Sequence, residues 1–400
     1  MILAGGAGSR LGAMTERVPK PMLSVGGRPF LEHLIWNLKR FGINRIILSV
    51  GYLAEQFIAH FGTGEYWGVR IEYSIEREAL GTGGGVRLAA ERGLLDESVL
   101  VLNGDTVFDF NHLDLASLLY NSHCAAALAL RHVPDMKRYG SVNLQGIHIL
   151  SLGEKVGIGS GLVNGGVYCL KQAALDLLSA GKSSLEHDLF PSLANRGLLA
   201  GKTYDGFFLD IGLPESIVEA QQQIPAWRRK PAVFLDRDGI LNVDHGYVHM
   251  PSEWVWCEGA VQAVRHLNDL GYLVFVVTNQ AGIARGYYDE NAFLNLMAWV
   301  QQQLRDEGAH FDGVYYCPHH PLEGQSIYRR DCDCRKPGSG LIRQCQSEWE
   351  LNLQQSVFIG DKESDMQSAR AGGVRGLLFP GGNLHEFVTR EIVSSHRKVS

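Results

Sequence analysis

The stretch that decides the fold is Val233-Phe234-Leu235-Asp236-Arg237-Asp238-Gly239, an apolar run that stops abruptly on two carboxylates. Apolar residues without polar alternation predict a strand covered on both faces, the usual state of a parallel strand in an α/β sheet. Open α/β sheets meet their ligands beyond the carboxyl ends of such strands, so Asp236 and Asp238 stand where polar groups become useful. The run begins past the middle of the chain. What precedes it is long enough to be a second complete unit, and it opens on its own glycine-rich loop, Leu3-Ala4-Gly5-Gly6-Ala7-Gly8-Ser9-Arg10-Leu11.

The chain has 400 residues, of which 45% are hydrophobic, more than a single core usually organises; two domains of about 200 residues each are expected. Strand-like runs alternate with helical patterns in both halves, at Arg45–Val50, Val99–Leu102, Tyr272–Val277 and Ser356–Ile359, which predicts βαβ units. Phe30–Phe41 carries apolar residues at helical spacing and stops at Gly42, a C-terminal cap. Pro214–Gln223 reads as a closing helix. The two prolines and the basic triplet of Ile224-Pro-Ala-Trp-Arg-Arg-Lys-Pro231 then read as a linker. The expected domains are 1–222 and 232–400, joined by 223–231.

A net charge of −6 argues against a general nucleic-acid or membrane-surface binder, which needs a basic excess. Small anionic substrates remain compatible through local basic sites, and a homo-oligomer is the one macromolecular assembly left open. Seven cysteines, an odd number with three crowded between Cys317 and Cys334, do not form a disulfide framework. No segment has the build of a signal peptide or a membrane span, so a reducing cytoplasm is expected.

In the first half, Gly5, Gly6 and Gly8 let backbone amides approach phosphate oxygens, and Arg10 adds a forked cation. The loop matches neither the dinucleotide fingerprint nor a P-loop. It is followed, in order, by Pro19-Lys20-Pro21-Met22, Leu80-Gly81-Thr82-Gly83-Gly84, Leu102-Asn-Gly-Asp105, Glu154-Lys155, Val163-Asn164-Gly165-Gly166, Glu186-His-Asp188 and Leu209-Asp210-Ile-Gly212. This ordered set resembles the sugar-1-phosphate nucleotidyltransferases over residues 1 to about 222, most of all the D-glycero-D-manno-heptose 1-phosphate guanylyltransferases. The resemblance implies a Rossmann-like nucleotidyltransferase fold, with Arg10 and Lys20 acting on the triphosphate and Asp105 and Asp210 holding Mg²⁺. It also implies Lys155 for the sugar phosphate, Asn164, Gly166 and Glu186 for sugar hydroxyls, and Leu3, Ala4, Gly81, Thr82 and Gly83 against the nucleoside. Many relatives carry alanine where Gly83 stands. Joining a nucleotide to a sugar phosphate brings two polyanions together, which is why cations and a metal belong in such a site. Glu76 and Glu78 are carboxylates that would suit guanine, whose N1–H and N2–H₂ are donors; the competing view is ordinary surface charge.

In the second half, Asp236-Arg-Asp238-Gly-Ile-Leu-Asn242, Val277-Thr278-Asn279, Arg335-Lys336-Pro337 and Gly360-Asp361-Lys-Glu-Ser-Asp365 follow in order. They resemble the haloacid dehalogenase-like phosphatases over residues 232 to about 380. The resemblance implies Asp236 as nucleophile, Asp238 as acid and base, Thr278, Asn279, Arg335 and Lys336 around the phosphate, and Mg²⁺ held by Asp236, Asp238 and Asp361. Asp365, one helical turn past Asp361, is a helix-start carboxylate or a supporting partner. Cys317-Pro-His319-His320-Pro and Cys332-Asp-Cys334 offer soft donors in two close pairs, the spacing of a four-ligand Zn²⁺ site made of Cys317, His319, Cys332 and Cys334, with His320 as alternate. That loop narrows the resemblance to the heptose 1,7-bisphosphate phosphatase branch. The two halves then imply consecutive steps toward GDP-heptose, with sugar phosphates and GTP as small-molecule substrates. The alternatives are a mannose- or other hexose-1-phosphate nucleotidyltransferase fused to a histidinol-phosphate-like phosphatase, or a silent nucleotide-sugar-binding module that regulates the phosphatase.

Overall fold

The structure is a computed structural model that describes residues 1–6, 8–137, 139–153, 159–324 and 327–393. Its contacts divide the chain into two compact units, Met1–Trp227 and Arg228–Ser400.

The first unit is built on a nine-stranded sheet. From one edge the strands run Arg70–Ile75, Arg45–Val50, Ile2–Leu3, Ser98–Asn103, Gly161–Lys171, Ala126–Val133, Leu199–Thr203, His148–Leu152 and Val142–Gln145. The first four are mutually parallel. Beyond them the sheet is mixed, because Gly161–Lys171 runs antiparallel to both neighbours and the last two strands form a hairpin. The sheet is therefore less uniformly parallel than expected. For the edge hairpin the cause is local: a two-residue turn at Gly146-Ile147, with Gly146 at φ 60, can only return an antiparallel strand.

The helix Phe30–Arg40 ends as predicted, with Gly42 following at φ 67. The closing helix does not end at Gln223: it continues to Arg228 with Pro225 inside it. Ile217, Ala220, Ile224 and Trp227 repeat at helical spacing and are all buried in the first core. The Trp227 indole also donates to Asp109 at 2.8 Å. Burying side chains of this size is worth about 1.5–3 kcal/mol each, enough to offset the roughly 3 kcal/mol cost of an internal proline. Residues 224–228, read as part of a linker, thus belong to a helix.

The second unit has a five-stranded, wholly parallel sheet in the order Gly313–Cys317, Leu273–Asn279, Ala232–Leu235, Val357–Gly360, Arg375–Leu378. All four residues of Ala232–Leu235 are fully buried. Val233 and Leu235 enter one apolar cluster, and Ala232 and Phe234 enter another, so both faces of the sheet are covered. That arrangement is what an apolar run without alternation requires. Among the described residues no helix is long and apolar enough to cross a membrane.

Candidate active sites

In the first unit, Ile2–Leu3 pairs in parallel with Leu48–Ser49 on one side and Leu102–Asn103 on the other. The glycine loop after Leu3 and Asp105 after Asn103 therefore leave neighbouring strands at the same edge. Thr106–Phe108 pairs with Phe208–Asp210 so that Asp210 lies opposite Thr106. The Ile211 N–H also donates to the Asp105 carbonyl at 2.9 Å. Two aspartates distant in sequence are thus brought side by side. Both line a cavity of about 850 Å³, together with Arg10, Lys20, Asn164, Gly166 and Glu186. An adjoining cavity of about 350 Å³ is walled by Leu3, Ala4, Gly5, Gly6 and Gly8 on one side and by Glu76, Gly81 and Thr82 on the other. Arg10, Lys20, Asn103, Asp105 and Gly212 line both. Two cations and one carboxylate, Asp105, therefore stand at the junction of the two cavities, and Asp210 lines the larger one alone.

The aspartates are not bare. Lys20 Nζ lies 2.5 Å from Asp105, and the Tyr139 hydroxyl donates to Asp210 at 2.5 Å. Two hard oxygen donors opening on a cavity suit Mg²⁺, which commonly takes one or two protein carboxylates and completes its sphere with water and substrate phosphate. Glu76 accepts from Ser49 at 2.9 Å and from the Leu80 N–H at 3.2 Å, and a Cβ on Gly5 would come within 2.8 Å of its carboxylate. The loop glycine is what leaves Glu76 its place in the cavity wall. Glu78 is exposed and does not line either cavity. Gly83 is buried and does not line the smaller cavity; it packs on Ser183, whose Oγ would lie 2.7 Å from a Cβ at that position. Lys155 lies outside the described residues.

In the second unit three of the four motifs fall at the carboxyl edge of the parallel sheet, and the fourth, Arg335-Lys336-Pro337, reaches it from a loop through the Lys336 side chain. Asp236 follows the central strand, Thr278 and Asn279 end the strand on one side, and Asp361 follows the strand on the other. Carboxylate oxygens of Asp236, Asp361 and Asp365 lie within 4.8 Å of one another. Lys336 Nζ stands 2.7 Å from Asp236 and 2.8 Å from Asp365. Asp361 Oδ1 is buried with no hydrogen-bond partner. Burial, offset in part by Lys362 and reinforced by Asp236 and Asp365, raises the Asp361 carboxyl above its ordinary range. One unpartnered oxygen on a raised carboxyl, the other facing Lys362 Nζ at 3.9 Å, in a group with two further carboxylates fits a divalent cation, which would satisfy that oxygen and offset the crowding.

Asp365 stands at the start of its helix, where its other oxygen accepts from the Lys362 N–H at 3.0 Å, and its carboxylate belongs to the acidic group. The Asp238 carboxylate is not part of that group. It is held by Arg237, whose Nη2 donates to both oxygens at 2.7 and 2.9 Å, and by Asn242 at 3.0 Å. Asn279 and Lys336 exchange hydrogen bonds, side chain to backbone, at 3.0 and 3.1 Å, which ties the end of strand Leu273–Asn279 to the lysine segment. The Arg335 guanidinium donates to the His319 carbonyl at 3.1 Å.

Cys317 Sγ, His319 Nδ1, Cys332 Sγ and Cys334 Sγ form a second group. Cys317 lies 3.5 Å from Cys332 and 3.2 Å from Cys334, and His319 lies 3.3 Å from Cys334. These are near the edges of a tetrahedron around a metal with bonds of about 2.3 Å and are far too long for disulfides. Burial lowers the His319 pKa, which keeps the ring neutral and able to ligate. His320 is otherwise engaged, since its Nδ1 faces the Leu322 and Glu323 N–H groups at 3.3 and 2.9 Å.

Sequence reasoning missed several residues. Tyr139 sits on Asp210, and Tyr168 donates to Glu186 at 3.1 Å. Gln280 donates to Thr278 at 2.9 Å and is held by the Tyr288 hydroxyl at 2.6 Å. Gln280 alone had a signal, its place directly after Thr278-Asn279.

A fold with acidic clusters at two sheet edges, one beside a glycine-loop cavity and one at the end of a buried parallel strand, defines a two-unit enzyme of phosphoryl and nucleotidyl chemistry. Residues 1–226 match the family model of the nucleotidyl transferases, and residues 333–393 match the HAD-hydrolase-like model. The chain is 48% identical over 145 residues to a D-glycero-β-D-manno-heptose-1,7-bisphosphate 7-phosphatase of Vibrio cholerae, covering 36% of this chain and 78% of that protein. It is 39% identical over 169 residues to the protein of the same name from Rhodopseudomonas palustris, covering 42% and 94%. Among solved structures, HddC from Yersinia pseudotuberculosis complexed with GMP-PN is 32% identical, with a TM-score of 0.50, over 56% of this chain and 97% of that one. The chain belongs to the nucleotidyl transferase family in its first unit and to the HAD-like phosphatases in its second.

Proposed function

We propose that the chain carries out two steps of GDP-heptose synthesis: the second unit removes the 7-phosphate of D-glycero-D-manno-heptose 1,7-bisphosphate, and the first joins the resulting heptose 1-phosphate to GMP from GTP. The carrying observation is the coincidence of two independent units. One resembles phosphatases named for heptose 1,7-bisphosphate, and the other has the fold of a protein solved with a guanine nucleotide analogue.

In the phosphatase, Asp236 attacks phosphorus to give an aspartyl phosphate, while Asp238 protonates the departing sugar oxygen and then takes a proton from water. Thr278 and Asn279 hold phosphate oxygens, Lys336 offsets their charge, and Arg335 favours a phosphoester by bidentate contact. Asp236, Asp361 and Asp365 would hold Mg²⁺, which lets one anion approach another. The Cys317, His319, Cys332 and Cys334 set would hold Zn²⁺ with no open position, stapling the loop that presents Arg335 and Lys336.

In the nucleotidyltransferase, Arg10 and Lys20 draw charge off the triphosphate, Asp105 and Asp210 would hold Mg²⁺, and Asn164, Gly166 and Glu186 orient the sugar. Glu76 accepts from the guanine edge. The test is incubation of the full chain with GTP, Mg²⁺ and, in parallel, heptose 1,7-bisphosphate or hexose phosphates. Phosphate, pyrophosphate and GDP-heptose should all appear; hexose phosphates turned over in preference would refute the heptose assignment.

A further inference from the structure

The Glu186 carboxylate is held by three hydroxyl groups, two from other segments of the first unit and one, Ser184, from its own. Its Oε1 accepts from Tyr168 at 3.1 Å; its Oε2 accepts from Thr82 at 2.7 Å and from Ser184 at 2.9 Å. Tyr168 is fully buried. Burial, and then the charge of Glu186 itself, push its phenol well above the ordinary value, so it keeps its proton and donates. The same hydroxyl accepts from the Asn164 amide at 3.0 Å. Two residues assigned to the sugar are therefore fastened through one buried ring.

Thr82 belongs to the other cavity. It lines the nucleotide side with Gly81, and Glu186 lines the sugar side. Its hydroxyl also accepts from the Leu185 N–H at 2.9 Å, so it grips the Glu186 segment by both backbone and side chain. Around it the two loops are in close contact: the Gly83 N–H donates to the Ser183 carbonyl at 3.0 Å and the Ser183 N–H to the Leu80 carbonyl at 2.9 Å. A Cβ at Gly81 would meet the Ser183 carbonyl oxygen at 2.5 Å, so the glycine is what permits this approach. Residues 81–83 and the Glu186 segment are thus linked through Thr82 and Ser183.

We propose that Thr82 and Tyr168 are positioning residues that fix Glu186, and that Thr82 couples the nucleotide cavity to the sugar cavity so that each ligand tightens the other. This deepens, and rests on, the assignment of Glu186 to sugar hydroxyls. A nucleotide packed on Thr82 restrains the residue that holds Glu186, so the carboxylate meets sugar hydroxyls with less side-chain freedom left to lose, and linkage makes the effect reciprocal.

The test is calorimetric titration of the full chain with heptose 1-phosphate and Mg²⁺, with and without saturating GTP analogue carrying a non-cleavable α,β-methylene bridge. The phosphatase is silenced by D236N throughout. The analogue is expected to tighten heptose 1-phosphate by at least about fivefold in the parent and in T82S, which keeps the hydroxyl. In T82V the ratio should fall to about one. Coupling retained in T82V, lost equally in T82S, or absent from the parent would overturn the proposal. Failure of the parent to bind either ligand would overturn the nucleotidyltransferase reading itself, a distinct result. With cleavable GTP, Y168F should raise the KM for heptose 1-phosphate at least about fivefold while leaving the KM for GTP near its original value. An equal rise in both would reduce Tyr168 to a core residue.

Discussion

Replacing Gly239 by alanine probes the acidic group of the phosphatase without touching a charged residue. Gly239 has φ +85, and a Cβ built there would lie 2.5 Å from Asp361 Oδ2 and 2.9 Å from its Cγ. The backbone alone costs about 1–2 kcal/mol, since an L-residue resists that conformation. For a unit of this size such a loss lowers its melting temperature by roughly 2–8 °C. The larger effect is on Asp361, which must withdraw by about 1 Å to regain ordinary contact, and a misplacement of that size costs on the order of a hundredfold in rate. Phosphate release from heptose 1,7-bisphosphate across a Mg²⁺ series, with calorimetric melting in parallel, reads both. G239A should lose about two decades of kcat/KM and need more Mg²⁺ for half-saturation. Near-parental kinetics with unchanged Mg²⁺ dependence would refute the placement of Asp361 at the metal.

Three further outcomes are expected. Burial, and then the neighbouring Cys334 thiol, raise the Cys317 thiol, and burial raises that of Cys334. Zn²⁺ binding must therefore expel protons and tighten as pH rises, checked by titration in buffers of different ionisation enthalpy; chelation should lower the melting temperature of the second unit. Lys362 offsets part of the rise in the Asp361 carboxyl, so K362A should push that carboxyl further up and move the acid limb of the phosphatase pH profile to higher pH. A limb that stays put or moves down would contradict this. E76Q should reduce the preference for GTP over ATP by about 10- to 100-fold, the worth of a charged hydrogen bond, in initial rates of pyrophosphate release.

The strands were legible wherever burial is continuous: Arg45–Val50 was exact, and Val233–Leu235 fell within a strand that begins one residue earlier. Asp236 and Asp361 were legible because each follows a strand end and strand ends converge, whereas the Cys317, His319, Cys332 and Cys334 set was legible from the close spacing of soft donors, only Cys317 lying at a strand end. The closing helix was not, because Pro225 and the basic triplet signal a break locally, while the burial of Ile224 and Trp227 that overrides them is a long-range fact. Tyr168 was hidden for a related reason. It lies within Gly161–Lys171, a strand buried along most of its length, and only its hydroxyl, placed by the pairing of distant strands, separates it from core. Asp365 was ambiguous in sequence, since a helix cap and a cluster member call for the same residue.

The claim that two separate acidic clusters serve two consecutive reactions is tested most directly by following phosphorus resonances in the complete reaction with D236N and D105N. The account predicts that D236N leaves heptose 1,7-bisphosphate intact yet makes GDP-heptose when given heptose 1-phosphate, whereas D105N accumulates heptose 1-phosphate and makes no GDP-heptose. Loss of both reactions in either folded variant, or of neither, would contradict it.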